Sequence, residues 1–464
     1  MSAPVLWIVI PVVTSAFLLF LVRYPSLLKI IGIVISLTLA LTAIVQPIGN
    51  VLHLGSISID ITPVLYIFGR SLLLENADRF TLSLIYITLL IYMLALDVKS
   101  VPAKFVPLSL AITGLLIAAL AVQPFLYSAL LVELAVLLTI LMVKEKTQLP
   151  EPGIIRFLIY LSLAMPCIMF AGWILGGNQA SVSDASRFLS AVVFFLIGFS
   201  IWLAVFPFHS WLPQFSQAVH PYLFGFLFSL FPVISLLIIM DYISSLLWLR
   251  SAAYLTPALM VVGVIMVVTT GILSSVDKDL KRLLAYTVLL ETGFSLLVLS
   301  IRSAQAVQLL YQSFIPRIFS LGLLSFSISV CSNHGFSLTT IGVRGIGKEL
   351  PFATIGVLVA LFSITGFPLF AGFPVRFELL TRLGQSSAPT LIWIAVGLAA
   401  FLVGVVKLFM TMTTPDREKR EINEKISEIV IISIGVLILI LIGFYPQLTA
   451  LMIKPFISDI PVLW

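Results

Sequence analysis

Apolar runs of about 18 residues or more recur from one end of the chain to the other, parted by short polar connectors. That is the length a helix needs to cross a hydrocarbon layer of about 30 Å. The runs fall near residues 4–22, 28–46, 80–96, 106–122, 125–143, 155–176 and 188–207, then 222–240, 253–274, 280–300, 305–331, 352–380, 390–412 and 428–447. The pattern predicts an all-α polytopic membrane protein with about fourteen transmembrane helices. Two stretches fall outside it. Residues 47–79 mix polar and apolar positions, and residues 414–428 form a dense charge run that reads as a solvated cytoplasmic connector. Neither is large enough for a catalytic domain.

Composition agrees. The chain has 464 residues, 60% hydrophobic and 10% charged, against about 25% charged in an ordinary soluble domain. A soluble enzyme, a nucleic-acid binder and a disulfide scaffold are excluded on that ground. The net charge of +6 is spread over many short loops and forms no basic stripe. Loops after odd-numbered spans carry about twice the Lys and Arg of the others, which puts both termini on the non-cytoplasmic side. The first apolar run follows no basic residue and ends in no small-residue cleavage site, so it is expected to stay as a first helix. Cys167 and Cys331 lie far apart, and His53, His209, His220 and His334 form no ligand pair. No glycine-rich phosphate loop occurs. The expectation is therefore no cofactor and no metal.

Proline and glycine interrupt two spans. Pro207 falls in the seventh, and Gly366, Pro368, Gly372 and Pro374 fall in the twelfth. A broken helix frees backbone groups that only protein or water can satisfy. If spans four to eight and nine to thirteen are two five-helix units, each break lies in the fourth member, as in inverted repeats that set a transport path at their interface. The domain expectation is residues 1–105 for three N-terminal helices with a long extracytoplasmic loop, 106–240 and 253–412 for the repeats, and 413–464 for the charged connector, last helix and tail. Ionisable groups at bilayer depth cost at least about 2.5–3.5 kcal/mol each and so mark candidate sites. Here they are Glu133, Glu291, Arg317, Arg376 and Lys407, with His209 and His220 at helix ends.

Four strings carry a resemblance: Pro207-Phe-His209-Ser-Trp-Leu-Pro213, Asp279-Leu-Lys-Arg-Leu-Leu-Ala-Tyr286, Gly366-Phe-Pro368-Leu-Phe-Ala-Gly372-Phe-Pro-Val-Arg376-Phe, and Phe125-Leu-Tyr-Ser-Ala-Leu-Leu-Val-Glu133. Together, over roughly residues 75–410, the chain resembles the antiporter-like membrane subunits of complex I (NADH:quinone oxidoreductase), membrane-bound hydrogenases and Mrp sodium/proton antiporters. The resemblance implies fourteen helices, both termini outside the cytoplasm, and a role for Glu133 in driving proton movement with a seventh-helix lysine. It also implies other antiporter-like and small membrane subunits as partners, peripheral electron-transfer subunits, and surrounding lipid. The membrane would be a bacterial inner, thylakoid or other energy-transducing membrane.

Departures from the family change the chemistry. The seventh-helix lysine position is Trp202, and the eighth-helix one falls near Val233 or Ile234. Arg317 and Arg376 stand at the eleventh- and twelfth-helix positions, and Glu291 replaces a tenth-helix histidine. A buried lysine sheds its proton when desolvated, whereas arginine stays charged. The array therefore has fixed charges and few titratable links: Glu133, Glu291, His209 and His220. His209 reads as a cap of the broken helix or a proton entry, and Lys407 as snorkelling to the cytoplasm or facing a neighbour. Asp279, Lys281 and Arg282 read as a helix start, and Glu378 with Arg382 as a pair along one helix face. The expectation is an antiporter-like subunit of a multi-subunit proton-translocating oxidoreductase complex with a non-standard or degenerate path, not catalytic alone. The alternatives are a stand-alone cation/proton antiporter and a structural or assembly subunit.

Overall fold

Backbone N–H and C=O groups left unpaired in lipid cost several kcal/mol each, so an apolar chain closes its hydrogen bonds within helices. The structure, a computed structural model, describes every residue except 1, 50, 55–56, 68, 98–99, 144–150, 177–184, 246–252, 415–421, 455 and 457–464. Lys99, Lys144, Lys146, Arg250 and residues 415–421 of the charge run thus lie outside the described residues. Among the described residues, ten helices are long and apolar enough to cross a membrane. Shorter apolar helices occupy Val5–Leu21, Phe105–Ala121, Leu189–Trp202 and Pro351–Thr365. Every span expected from the sequence overlaps one of these, the twelfth (352–380) only over its first half, which ends at Thr365.

The chain divides into two compact units, Met1–Ala204 with Leu230–Leu246, and Val205–Ser229 with Leu247–Ile457. In the first, α1 (Ile10–Leu18) continues a π-helical turn, Val5–Val9. It is followed by α2 (Pro25–Val45), α3 (Arg79–Leu94), α4 (Phe105–Ala121), α5 (Ser128–Val143), α6 (Pro152–Gly176) and α7 (Ala185–Trp202). The two units share α9 (Pro221–Ser245), whose first residues belong to the second. The second unit holds α8 (Trp211–Ala218), α10 (Leu255–Val276), α11 (Leu280–Leu299), α12 (Ala304–Asn333), α13 (Pro351–Thr365), α14 (Phe373–Ser386), α15 (Ala388–Thr413), α16 (Ile426–Phe444) and α17 (Gln447–Ile453).

Residues 47–79, expected only as a mixed loop, contain two antiparallel hairpins. β1 (Val51–Leu54) pairs with β2 (Ile57–Asp60), and β3 (Val64–Ile67) with β4 (Arg70–Leu73). Gly69, at φ +72°, supplies the left-handed turn between β3 and β4, and β4 also pairs with β5 (Val122–Gln123). β-Branched and leucine side chains in four-residue runs favour strands, a signal hidden by the neighbouring helices' stronger hydropathy.

Both interrupted spans are broken, and the prolines have different parts in it. α7 stops at Trp202, and Pro207 lies in the irregular link to α8. α13 stops at Thr365 on Gly366, whose φ of +76° only glycine adopts at no steric cost. Pro368 and Gly372 lie between α13 and α14, but Pro374 is the second residue of α14 and starts that helix. Pro166, Pro232 and Pro316 sit inside α6, α9 and α12 without ending them. Proline alone therefore does not make the breaks. Each carries a left-handed non-glycine residue as well, Ala204 at φ +50° and Leu369 at φ +81°.

Candidate functional site

Three helices of the second unit bring charged side chains to one buried centre. α11 supplies Glu291, α12 Arg317 and α14 Arg376. Glu291 and Arg376 form an ion pair with side chains only 7% and 6% exposed. The Arg376 guanidinium also lies 3.7 Å from the centroid of Phe294, three residues on from Glu291 along α11. Its Nη2 also donates to the Ile364 carbonyl at 3.4 Å.

The glycines of the break make this approach possible. A Cβ on Gly366 would stand 2.6 Å from Arg376 Cγ, and one on Gly372 would stand 1.9 Å from the Ser363 carbonyl oxygen. Ser320 Oγ donates to Ser363 Oγ at 2.8 Å, and the latter accepts from the Gly372 N–H at 3.3 Å. Beside these groups is a cavity of about 10 Å³, lined among others by Glu291, Ser313, Ser320, Ser363 and Arg376. Arg317 is 1% exposed. None of its three guanidinium nitrogens has a hydrogen-bond partner among the described residues, nor has Arg376 Nε.

Glu133 belongs to the first unit. It is half-buried on α5 and accepts a hydrogen bond from Ser162 Oγ on α6 at 2.6 Å. Its Oε2 is buried with no partner among the described residues. Trp202 ends α7 edge-on to Phe199, with centroids 5.3 Å apart at 84°. Phe199 in turn packs on Phe195 and Tyr242, so the Trp202 ring belongs to an aromatic cluster. Val233 and Ile234 are buried in α9.

A family model for the transmembrane part of NADH:quinone oxidoreductase and Mrp antiporters matches residues 169–402, half of the chain. The chain belongs to this family. It is 26% identical over 231 residues to NADH-quinone oxidoreductase subunit N of Orientia tsutsugamushi, covering 49% of this chain and 48% of that protein. To the subunit N of a Wolbachia from Brugia malayi it is 29% identical over 259 residues, 52% of this chain and 54% of the other. The chain thus spans about half the length of the curated relatives it matches. In fold it is similar to a chain of an archaeal membrane-bound sulfane sulfur reductase (TM-score 0.82, 16% identity, covering 99% of this chain and 98% of that one). It is likewise similar to a chain of the Mrp complex from Dietzia sp. (TM-score 0.81, 14% identity, 99% and 97% covered). A chain of respiratory complex I from Thermus thermophilus with bound NADH gives a TM-score of 0.77 at 19% identity, with 99% of each covered.

In this member of the NADH:quinone oxidoreductase/Mrp antiporter family, the Asp279–Tyr286 string is an anchor. Asp279 caps α11 by accepting from the Lys281 N–H at 2.8 Å and also accepts from Gln217 Nε2 on α8 at 2.6 Å. Lys281 Nζ returns to the Gln217 carbonyl at 3.0 Å, and Tyr286 donates to Asp277 at 2.8 Å. Arg282 pairs with Asp277 at 3.4 Å. Each polar residue of the string thus tethers the start of α11.

The remaining candidates are separate from the centre. The His209 ring stacks on Phe206 at 5.5 Å, beside the Pro207 carbonyl. His220 holds the start of α9, its Nδ1 accepting from the Tyr222 N–H and its Nε2 lying 3.4 Å from Asn333 Oδ1. Lys407 is exposed and donates to the Ser275 carbonyl at 3.1 Å, at the last turn of α10. Glu378 and Arg382 pair at 2.7 Å along α14.

Three acids were not singled out from the sequence. Asp241 lies on α9, one residue past the apolar run, and feels the charge of Asp78. Glu428 near the start of α16 pairs with His334 at 3.0 Å. Glu424 accepts the Phe352 and Ala353 N–H groups at 3.1 and 2.7 Å, satisfying the first turn of α13. The sequence offered a signal only for the last two, since the charge run ends in acids where α16 begins.

Proposed function

We propose that this chain is an antiporter-like membrane subunit of a multi-subunit, proton-translocating oxidoreductase complex in which the lysine relay is replaced by fixed charge. The single observation that carries the reading is the buried Glu291–Arg376 ion pair in a chain of this family. A guanidinium does not release its proton in a protein, so the pair is a static counter-charge and not a relay. In the first unit, Trp202 and the apolar Val233 and Ile234 stand at the lysine positions. Glu133, which accepts from one hydroxyl and whose buried Oε2 has no partner among the described residues, is then the mid-span acid of that unit left to take up and release a proton.

The rest of the proposal follows. The position-matched breaks support two repeats, residues 106–240 and 253–412, with the breaks in their fourth helices. His209 and His220 serve as helix-end contacts, and Lys407 as a helix-end tether. Homologous antiporter-like subunits, small membrane subunits and peripheral electron-transfer subunits are its partners. The names of its relatives and fold neighbours support this, since all belong to respiratory or Mrp complexes. The charge bias of the loops supports termini on the non-cytoplasmic side of an energy-transducing membrane.

Purification of the tagged full-length protein from its own membrane in mild detergent, with mass spectrometry of co-eluting chains, tests the assignment. Antiporter-like and electron-transfer subunits in fixed ratio are expected. A chain that runs alone, in a membrane where no such subunits co-elute, favours a stand-alone antiporter and overturns the proposal.

A further inference from the structure

The end of the second unit where α10 stops carries cations that the buried centre does not use. Lys278 lies just past α10, Arg344 on the link between α12 and α13, and Lys407 on α15, and all three are exposed. Hydrogen bonds hold these three segments side by side. Thr340 donates to the Lys278 carbonyl through its N–H at 2.7 Å and through its hydroxyl at 2.8 Å. The Arg344 N–H donates to the Ile341 carbonyl at 3.3 Å, and the Gly345 N–H to the Thr411 carbonyl at 3.1 Å. Thr411 stands one turn past Lys407 on α15 and bonds its carbonyl at 2.8 Å. Lys407 closes the ring, because its Nζ reaches the Ser275 carbonyl in the last turn of α10 at 3.1 Å. That bond uses one of the three N–H donors of an ammonium.

No carboxylate pairs with Lys278, Arg344 or Lys407 among the described residues. The acids beside Lys278 are engaged elsewhere: Asp277 by Arg282 and Tyr286, Asp279 by Gln217 and the Lys281 N–H. The ring therefore keeps an excess of positive charge. Between the cations stand two bare apolar side chains, Ile341 at 86% and Val276 at 70% exposed. One such side chain alone means little. Here both lie where a membrane-spanning helix ends, and Ile272 and Val403, one turn further into the spans, are exposed as well. Apolar surface flanked by long basic side chains at a helix end suits the border between hydrocarbon and headgroups.

We propose that this ring binds the headgroup of an anionic phospholipid, with its acyl chains along Val276, Ile272 and Val403. The ammonium and guanidinium groups meet the phosphate, and the lipid's net negative charge offsets the excess. A zwitterionic lipid presents the same phosphate but brings its own cation, so it gains less from the ring. Free phosphate would match the charge and leave the apolar side chains bare, as would an acidic protein segment. The inference rests on the membrane-spanning fold and not on the complex proposed above, since a chain without partners has the same ring.

The test titrates the purified, delipidated full-length protein in detergent with phosphatidylglycerol and with phosphatidylcholine of the same acyl chains, counting bound lipid by native mass spectrometry. Tighter binding of phosphatidylglycerol is expected. Lys278→Gln with Arg344→Gln should weaken it about 25-fold, at about fivefold for each basic residue beside an anionic headgroup, and leave phosphatidylcholine unchanged. Arg23→Gln with Lys104→Gln makes the same change in net charge in the first unit and should leave both affinities as they are. Equal affinity of the unaltered protein for the two lipids overturns the proposal. Equal losses in the two double variants also overturn it, because dispersed charge and not the ring would then be at work. Carbodiimide treatment of the native membrane gives a reading without variants. A cross-link from Lys278 or Lys407 to a carboxylate of another protein would show that protein covers the ring, and would overturn the assignment to lipid.

Discussion

Removing Glu291 is expected to damage the fold more than removing Arg376, although the two form one pair. Glu291→Gln leaves two buried guanidiniums, those of Arg317 and Arg376, with no acid between them. Arg376→Gln strips the contact over Phe294 as well as the ion pair, but leaves Glu291 in the attractive field of Arg317. Breaking a buried pair by removing one partner costs about 3–5 kcal/mol, because the other charge is left uncompensated. Glu291→Gln belongs at about 5 kcal/mol and Arg376→Gln at about 3 kcal/mol on that scale. The double variant, which leaves no broken pair, should cost less than the sum of the two by roughly 2 kcal/mol. Equilibrium unfolding in mixed micelles, followed by circular dichroism, gives all three values and the coupling. Equal single costs, or costs that simply add, would refute the reasoning that Arg317 and Arg376 share one acid.

Other expectations follow from single contacts. Gly366→Ala forces a side chain into a left-handed position and against Arg376, and should cost roughly 2 kcal/mol or more in the same unfolding assay. Trp202→Lys places an amine among Phe199 and its neighbours, and should lower stability by roughly 3 kcal/mol or more. Glu424→Ala removes both acceptors at the start of α13 and should cost about 1 kcal/mol. Burial holds the Glu424 carboxyl above the usual range, so the folded state binds that proton more tightly than the unfolded chain. Stability from this group is then greatest below the ordinary glutamate range and falls as pH rises towards the raised value, a slope that Glu424→Gln should flatten in unfolding measured against pH.

The helices were legible because lipid leaves an apolar chain few ways to satisfy its backbone, and hydropathy reports that constraint directly. The hairpins of residues 47–79 were not, since four-residue strands carry weak patterns and β4 finds β5 across the whole of α3 and α4. Three buried charges, Glu291, Arg317 and Arg376, and the half-buried Glu133 were also legible, as ionisable groups in apolar runs; the buried Glu428 was not singled out. Which acid meets which base was not. Glu291 and Arg376 are 85 residues apart, and their meeting depends on how Gly366 and Gly372 let α13 and α14 approach. Pro374 looked like part of the break because proline ends helices, yet near a helix N-terminus the same ring favours the start. Asp241 was hidden by a span boundary one residue too short.

The most direct test is the number of protons moved per electron by the complex proposed for this chain, isolated from its membrane and reconstituted into liposomes, with Glu133→Gln in this chain. A lower ratio with electron transfer still running is the result expected if the carboxylate of α5 is the titrating group left once arginine has replaced lysine. An unaltered ratio in a fully assembled complex would mean that no proton passes by Glu133, and would contradict the account.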